Sequence, residues 1–330
     1  PQYGKKQQMV NNPSNLPFSP AHRKTVQEFL GLFRYYAGSI DTTMLSAISS
    51  IATNMTTATK KDLDFRMNQF LDYAATHPDA KIRYVASEMQ LRIHSDASYL
   101  TEPKARSRAG GHFFLSKKPT YPIDSSSPTP PRNGAILMIC KIIDSIMASA
   151  MEAEVGAAFI NTRESVPVST TLDELGHKQS PIPLQMDNKS AVGILTDTMA
   201  QRRSKPMDMR FHWLKEKDTQ KYVKVFWKEG PTNLADYPTK HHPTKHHIAV
   251  RPSYVLNATS RTPTSNTIQQ GCAKIQRPES LRDSSSNPLN DVTRRRATTV
   301  TSYQSKYQRH LNLVSQRLAY LNTNNNILPS

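Results

Sequence analysis

The sequence predicts an α+β fold, in which a mixed five-stranded sheet with flanking helices follows a small helical region and precedes a disordered tail. Three observations lead to this prediction. Apolar residues recur at helical spacing up to residue 86, short strand-like apolar runs alternate with helical stretches over 87–250, and the remainder is rich in Ser, Thr, Asn, Gln and Arg. We expect a linker or arm over 1–20, a helical region over 21–86, an α+β domain over 87–250 and a basic, mostly disordered tail over 251–330.

Helices are predicted in the region 21–86 by their apolar stripes. A first helix is expected over 25–36 and a short second one over 43–51. The clearest stripe follows Thr59, which with Asp62 resembles a capping box, and it consists of Leu63, Met67, Phe70, Leu71 and Ala74.

The region 87–250 begins with three predicted strands. Residues 89–96 alternate apolar and polar side chains, residues 110–115 form a second strand-like run, and residues 135–140 are a continuous apolar run that is short enough for a buried strand. We expect these to form an antiparallel meander. A helix over 149–162, a strand over 182–187, a helix capped by Asn188, a helix over 208–217 and a strand over 222–227 are predicted to follow.

The charge and the cysteine content restrict the class of protein. The formal net charge is +17, which favours a polyanionic partner, most plausibly nucleic acid. No apolar run is long enough to span a membrane, and no secretory signal opens the chain. Cys140 and Cys272 cannot form a disulfide framework, so we expect a reducing, intracellular compartment, either cytoplasmic or nuclear. Because the first residue is Pro1, we expect a piece of a longer polypeptide or an incomplete gene model.

Four acidic residues are the candidate catalytic and metal-binding groups. Asp96 and Asp187 each end a predicted strand, Asp236 lies in the first turn of a short predicted helix, and Glu152 lies on the helix between them in the chain. Simpler explanations exist: Asp96 could start a turn, Asp236 could cap its helix together with Asn233, and Glu152 could be solvated. Glu152 lies at the edge of the apolar face of its helix, whereas Glu154 points away from it.

Acidic side chains at the ends of adjacent strands can converge on one edge of a sheet. Carboxylates that converge repel one another unless cations lie between them. Oxygen ligands of this kind suit Mg²⁺ or Mn²⁺, and two such ions about 4 Å apart assist phosphodiester hydrolysis. We expect two ions and no small-molecule cofactor.

Basic residues and histidines give two weaker signals. Five basic residues are predicted to contact nucleic-acid phosphates, although solvated surface charges are a plainer explanation: Arg106, Arg108, Arg202, Arg203 and Lys205. Four histidines, at 241, 242, 246 and 247, are interrupted by Pro243 and have no cysteine or acidic residue close by in the sequence. They fall short of a metal-site signature.

Five segments together resemble a known domain. They are Ser-Asp-Ala-Ser at 95–98, Ser-Ala-Met-Glu-Ala-Glu at 149–154, Gln-Met-Asp-Asn at 185–188, Arg-Ser-Lys-Pro-Met-Asp-Met-Arg-Phe-His at 203–212 and Asn-Leu-Ala-Asp-Tyr-Pro-Thr-Lys at 233–240. In this order and spacing they resemble the ribonuclease H domain of LTR-retrotransposon Pol polyproteins, most closely the copia-like type. Residues 26–36 resemble the region just downstream of the polymerase palm in such proteins.

The resemblance implies a ribonuclease H-like fold and a metal-dependent endonuclease. Its substrate would be the RNA strand of an RNA–DNA hybrid, and its partner would be the rest of a Pol polyprotein. The family's catalytic acids fall on Asp96, Glu152, Asp187 and Asp236, and the resemblance implies Glu152 rather than Glu154 as the helical one. No polymerase motif of the Tyr-x-Asp-Asp kind is present, so this chain alone is not a complete reverse transcriptase.

Two departures leave alternatives open. Pro238 lies inside the last predicted helix and could displace Asp236, and residues 228–232 offer no counterpart of the histidine that some ribonucleases H carry there. A catalytically inactive retroelement remnant, acting at most as a nucleic-acid-binding module, is the main alternative. An integrase- or transposase-like nuclease fits less well, because Glu152 falls between the first and third acids in chain order.

Overall fold

A computed structural model describes residues 20–55, 58–199 and 209–257. The predicted arm apart from Pro20, the basic residues Arg202, Arg203 and Lys205, and the tail from residue 258 lie outside these ranges. Within the described part, no helix combines the length and the apolar character needed to cross a membrane.

The helical region consists of α1 (Pro20–Ser39), α2 (Leu45–Asn54) and α3 (Lys60–Thr76). The Thr59 side chain accepts a hydrogen bond from the Asp62 backbone N–H at 3.2 Å, and this contact caps α3 as its sequence predicts. Phe33 and Phe70 meet edge to face with ring centroids 5.0 Å apart, so the apolar stripes of α1 and α3 pack against each other.

The main sheet has five strands in the order β4–β3–β2–β5–β6. The strands are β2 (Gln90–Glu102), β3 (Arg106–Ser116), β4 (Ala135–Ile142), β5 (Ile182–Met186) and β6 (Val223–Trp227). β2, β3 and β4 pair antiparallel, whereas β5 pairs parallel to β2 and β6 pairs parallel to β5. The predicted meander and the mixed five-stranded α+β architecture are therefore confirmed.

Helices α4 (Ala150–Glu174), α5 (Lys189–Leu195) and α6 (Met209–Thr219) cover one face of this sheet. Alternate residues of β2, such as Leu91 and Ile93, enter the core below them, which also contains Phe113, Val155, Leu184, Met186, Val192, Leu214 and Val225. α4 is longer than its sequence predicts and continues through Pro167 to Glu174. Leu172, in this extra segment, is buried in the core, and its burial favours the extension.

The opposite face of the sheet is covered by the segment after β6, in which the short helix α7 (Asp236–Thr239) packs on β2 and β3 and is followed by α8 (Thr244–Val250). Gly110 permits a close approach here, because a Cβ at this position would lie 2.4 Å from the Ala235 carbonyl oxygen. Pro238 occupies the first turn of α7, where a proline is tolerated, and α7 is only one turn long.

The fold continues past the predicted boundary at residue 250. β7 (Leu256–Asn257) pairs antiparallel with β1 (Ala80–Lys81), and Val255 is buried. The Arg251 guanidinium pairs with the Asp41 carboxylate at 3.1 Å, and both side chains are almost fully buried. Residues 251–257 are thus part of the fold, and the prediction that they begin a disordered tail is wrong, because it considered composition and not these contacts.

Candidate active site

The parallel pairing of β2 and β5 brings two predicted acids to the same level of the sheet. His94 pairs with Gln185, and Asp96 and Asp187 each lie two residues further along their chains. Asp96 is not at the end of its strand, since β2 continues to Glu102 and Asp96 pairs with Gly110. Asp187 follows β5 directly, as predicted.

Three acidic side chains form the candidate site. One carboxylate oxygen from each of Asp96, Glu154 and Asp187 lies within 4.8 Å of the others. Asp96 and Glu154 are buried, with 4% and 6% of their surfaces exposed, whereas Asp187 is partly exposed. We call these three residues the acid cluster.

The helical acid of the cluster is Glu154, and the prediction of Glu152 at this place is wrong. Glu154 Oε1 accepts a hydrogen bond from the Ala97 backbone N–H at 3.3 Å, which directs the side chain to β2. The Glu152 carboxylate instead accepts a hydrogen bond from the Ala148 N–H at 2.7 Å and so stabilises the beginning of α4.

The error at Glu152 follows from the way α4 packs. The helix contacts β2 and β3 as well as α5 and α6, so it is buried on more than one side. A single apolar stripe therefore does not identify the side that faces the sheet. Ala153 and Ala157, which are small residues, are also fully buried, and the helix lies close to the strands at Glu154.

Asp236 lies beside the acid cluster but is not among the three acids that come within 4.8 Å of one another. Its Oδ1 forms an ion pair with the Lys240 ammonium group. Its charge is near enough to contribute to a raised pKa at Asp187, together with burial, which is the larger cause. Asp236 thus occupies the rim of the site.

Burial and mutual repulsion make the acid cluster hard to ionise. Burial, followed by the charge of Asp187, raises the pKa of Asp96 to about 7. The pKa of Glu154 lies well above its usual range, first because of burial and then because of Asp96 and Asp187. The nearby Lys240 ammonium group partly offsets these effects at all three acids.

The donor set of the acid cluster fits a hard divalent cation. All three side chains offer carboxylate oxygens, which Mg²⁺ and Mn²⁺ prefer. Glu154 Oε2 is buried and has no hydrogen-bond partner. A buried oxygen without a partner is costly, and a cation would satisfy it and relieve the repulsion among the three acids.

The segment after β6 is tied to β2 through three hydrogen bonds. Asn233 Nδ2 donates to the Ser95 carbonyl oxygen at 2.8 Å, and the Leu234 N–H donates to His94 Nδ1 at 3.0 Å. The Thr239 hydroxyl donates to Asp96 Oδ2 at 2.8 Å and orients that carboxylate. Thr239 and Lys240 lie in the segment 233–240, and the resemblance of that segment to the ribonuclease H domain was the sequence feature that could have pointed to them.

The structure places the predicted phosphate-binding residues in different environments. Arg108 is buried, with 1% exposed, and its Nε donates to Glu102 Oε1 at 2.8 Å, while its Nη1 lies 3.2 Å from Cys140 Sγ. It cannot contact a nucleic-acid backbone, so this prediction is wrong. Arg106 is partly exposed at the beginning of β3 and remains a candidate, whereas Arg202, Arg203 and Lys205 lie outside the described residues.

Comparison with known proteins supports the resemblance drawn from the motifs. No family model matches the chain. Over 107 residues the chain is 32% identical to the retrovirus-related Pol polyprotein from transposon TNT 1-94 of Nicotiana tabacum. The predicted resemblance to Pol polyproteins is confirmed. The match covers 32% of this chain and only 8% of that polyprotein.

Solved ribonuclease H structures are also similar to this chain. The N-terminal RNase H domain of a Mycobacterium tuberculosis protein aligns at 12% identity and a TM-score of 0.30, over 50% of this chain and 96% of that one. An RNase H1 isolated from compost aligns at 10% identity and a TM-score of 0.25, over 50% of this chain and 91% of that one. The RNase H1 of Halobacterium salinarum aligns at 11% identity and a TM-score of 0.24, over 44% and 90%.

Proposed function

We propose that this chain is a ribonuclease H-type endonuclease that hydrolyses the RNA strand of RNA–DNA hybrids with the help of two divalent ions, Mg²⁺ or Mn²⁺. The observation that carries the proposal is the convergence of Asp96, Glu154 and Asp187 at one level of the sheet. Two of these acids are buried, and both have a raised pKa that a bound cation would reverse.

Each residue of the site has a role in this proposal. Asp96, oriented by the Thr239 hydroxyl, and Glu154, held by the Ala97 N–H, would fix a metal ion from the protein side. The partly exposed Asp187 would complete the ligand set where substrate can approach. Divalent ions held there would stabilise the charge that develops on the attacking and leaving oxygens of a phosphodiester. Asp236, at the rim of the site and paired with Lys240, would assist these three acids in holding the ions.

The resemblance and the charge support the proposed substrate class. A net charge of +17 favours a nucleic acid, and a hybrid would be recognised through its backbone and through the 2′-hydroxyl groups of one strand. Arg106, Arg202, Arg203 and Lys205 are the basic residues proposed to hold that backbone. In a full-length element, the remainder of a Pol polyprotein would be the covalent partner. An intracellular location, cytoplasmic or nuclear, would suit a chain with two cysteines.

Cleavage of a labelled RNA–DNA hybrid tests the proposal. The full chain and Asp187→Asn are incubated with Mg²⁺ or Mn²⁺, with duplex DNA and duplex RNA as control substrates and with hybrid binding measured in parallel. We expect metal-dependent cutting of the RNA strand alone, which the substitution abolishes without abolishing binding. Binding without cutting in either metal would contradict the proposal and would favour an inactive, nucleic-acid-binding remnant.

A further inference from the structure

A second group of potential metal ligands includes Asp236, which lies beside the acid cluster. One ligand atom from each of Asp236, His242 and His246 lies within 4.8 Å of the others. Asp236 begins α7, His246 lies in α8, and His242 lies in the connection between the two helices. We call these three residues the histidine cluster.

Neighbouring aromatic rings hold His242 in place. The His242 ring stacks on the Tyr237 ring, with centroids 4.9 Å apart and planes inclined by 11°. The exposed His246 ring also stacks on it, with centroids 4.5 Å apart. Because an ion lies in the plane of each imidazole that binds it, His246 must turn out of this stack to bind the same ion as His242. Tyr237 is itself buried, so the position of His242 is fixed by the fold and not by a bound ion.

The protonation of His242 suits metal binding. His242 Nε2 lies 3.2 Å from the Tyr237 carbonyl oxygen. Because a carbonyl oxygen can only accept a hydrogen bond, Nε2 carries the proton and Nδ1 carries the lone pair. Metal-binding histidines commonly donate their second ring N–H to a backbone carbonyl in this way.

The histidine cluster differs from the acid cluster in the chemistry of its donors. Two imidazole nitrogens and one carboxylate oxygen suit Zn²⁺ and related first-row transition ions, whereas oxygen-only sites suit Mg²⁺. The Lys240 ammonium pairs with Oδ1 of Asp236, and a carboxylate has a second oxygen that can bind an ion. Three protein ligands would leave a fourth position of a tetrahedral ion open.

We propose that Asp236, His242 and His246 form a transition-metal site that binds Zn²⁺ in preference to Mg²⁺ and is separate from the acid cluster. An ion at this site would engage Asp236 at the rim of the candidate active site. The site also borders a cavity of about 340 Å³ that is lined on its other side by α2 and α3, through residues such as Ser50 and Arg66. Zn²⁺ could therefore reach it without passing through the acid cluster.

Spectroscopic titration of the full chain tests the proposal independently of any nuclease activity. Co²⁺ replaces Zn²⁺ as a coloured probe, in a large excess of Mg²⁺ that occupies oxygen-only sites. We expect one Co²⁺ per chain with the visible absorption of a tetrahedral or five-coordinate nitrogen-containing site, and Zn²⁺ should displace it. An octahedral, weakly absorbing spectrum, or no binding, would overturn the proposal.

Three variants locate the ion. His246→Gln removes an exposed ligand with little risk to folding, and we expect it to weaken Zn²⁺ binding at least about tenfold. His241→Gln, a neighbouring histidine outside the cluster, and Asp187→Asn, in the acid cluster, should both bind Zn²⁺ as the unmodified chain does. Equal affinity of His246→Gln and His241→Gln would overturn the assignment. Loss of hybrid cleavage in Asp187→Asn with Zn²⁺ binding intact would show that the two sites are independent.

Discussion

The acid cluster and the histidine cluster are neighbours, because Asp236 belongs to the second and lies beside the first, yet they differ in burial and in donor atoms. Asp96 and Glu154 are buried, and they offer only oxygen. His242 and His246 lie in the surface segment after β6 and offer nitrogen, and His246 is exposed. The rigid core thus holds a site suited to Mg²⁺, while the surface segment holds one suited to Zn²⁺.

This difference shows how one carboxylate can belong to two electrostatic environments. On the side of the acid cluster, Asp236 adds to a concentration of negative charge and helps to raise the pKa of Asp187, an effect to which burial contributes more. On the side of the histidine cluster, its charge partly counteracts the burial that lowers the pKa of His242. Substitutions that affect one cluster alone should therefore separate hybrid cleavage, which we assign to the acid cluster, from Zn²⁺ binding, which we assign to the histidine cluster.

The largest expected effect is the loss of cleavage on Asp96→Asn. The substitution preserves the shape of the side chain but removes the negative charge that would hold a metal ion. We expect metal-dependent hybrid cleavage to fall by about a thousandfold or more, since metal stabilisation of the transition state amounts to several kcal/mol. Single-turnover cleavage rates measure this effect. Zn²⁺ binding at the histidine cluster should not change, and a parallel loss of both would contradict the separation of the clusters.

The pH dependence of stability should differ in sign between the clusters. The pKa of Asp96 is about 7 in the folded protein and near 3.8 in the unfolded chain. Between these pH values the Asp96 carboxyl is protonated in the folded protein and ionised in the unfolded chain. The stability of the metal-free protein should therefore fall as pH rises from about 4 to 7. The pKa of His242 is lowered on folding, mainly by burial. Its contribution to the free energy of unfolding should therefore decrease as pH falls below about 6.5, where the unfolded chain takes up the proton more readily than the folded protein does.

Thermal unfolding in a chelator measures the contribution of Asp96. Above pH 7, Asp96→Asn should be more stable than the unmodified chain, by on the order of 2 kcal/mol, and added Mg²⁺ should stabilise only the unmodified chain. The variant should also show a smaller fall in stability between pH 4 and 7, since burial still raises the pKa values of Glu154 and Asp187. If both proteins have the same pH profile, the carboxyl of Asp96 is not hard to ionise in the folded state.

The smallest expected effect involves Lys240, which lies between the two clusters. Lys240→Met removes the ammonium group that pairs with Asp236 and partly offsets the repulsion around Asp96. We expect Zn²⁺ to bind a few-fold more tightly, a change of about 1 kcal/mol, because the cation that competes for Asp236 is gone. Displacement of Co²⁺ by Zn²⁺ measures the change, and weaker Zn²⁺ binding would mean that Lys240 orients Asp236 for the ion.

The sheet and two of its acids could be predicted from the sequence because strand periodicity and strand ends are local features. The alternation in β2 and the position of Asp187 after β5 placed both acids on strands, but the expected strand end at Asp96 is wrong, and the pairing of β2 with β5 that brings the two acids together is not a local feature. Glu154 could not be distinguished from Glu152, because α4 is buried on several sides. Local patterning also cannot show that Arg108 is paired inside the protein with Glu102.

The extent of the fold depends on contacts between residues far apart in the sequence. Arg251 pairs with Asp41 in the helical region and β7 pairs with β1, so the fold extends beyond residue 250. The grouping of Asp236 with His242 and His246 depends instead on a local turn. The connection between α7 and α8 brings these three side chains together, and sequence spacing does not reveal this turn.

The most direct test of the account compares hybrid cleavage by Glu154→Gln and Glu152→Gln. The two residues lie in the same helix turn and the substitutions are chemically identical, so each variant is the control for the other. With Mg²⁺, we expect Glu154→Gln to lose cleavage by about a hundredfold or more, while Glu152→Gln retains it within a few-fold and loses about 1 kcal/mol of stability. Full activity in Glu154→Gln, or loss of cleavage in folded Glu152→Gln, would contradict the assignment of the acid cluster as the active site.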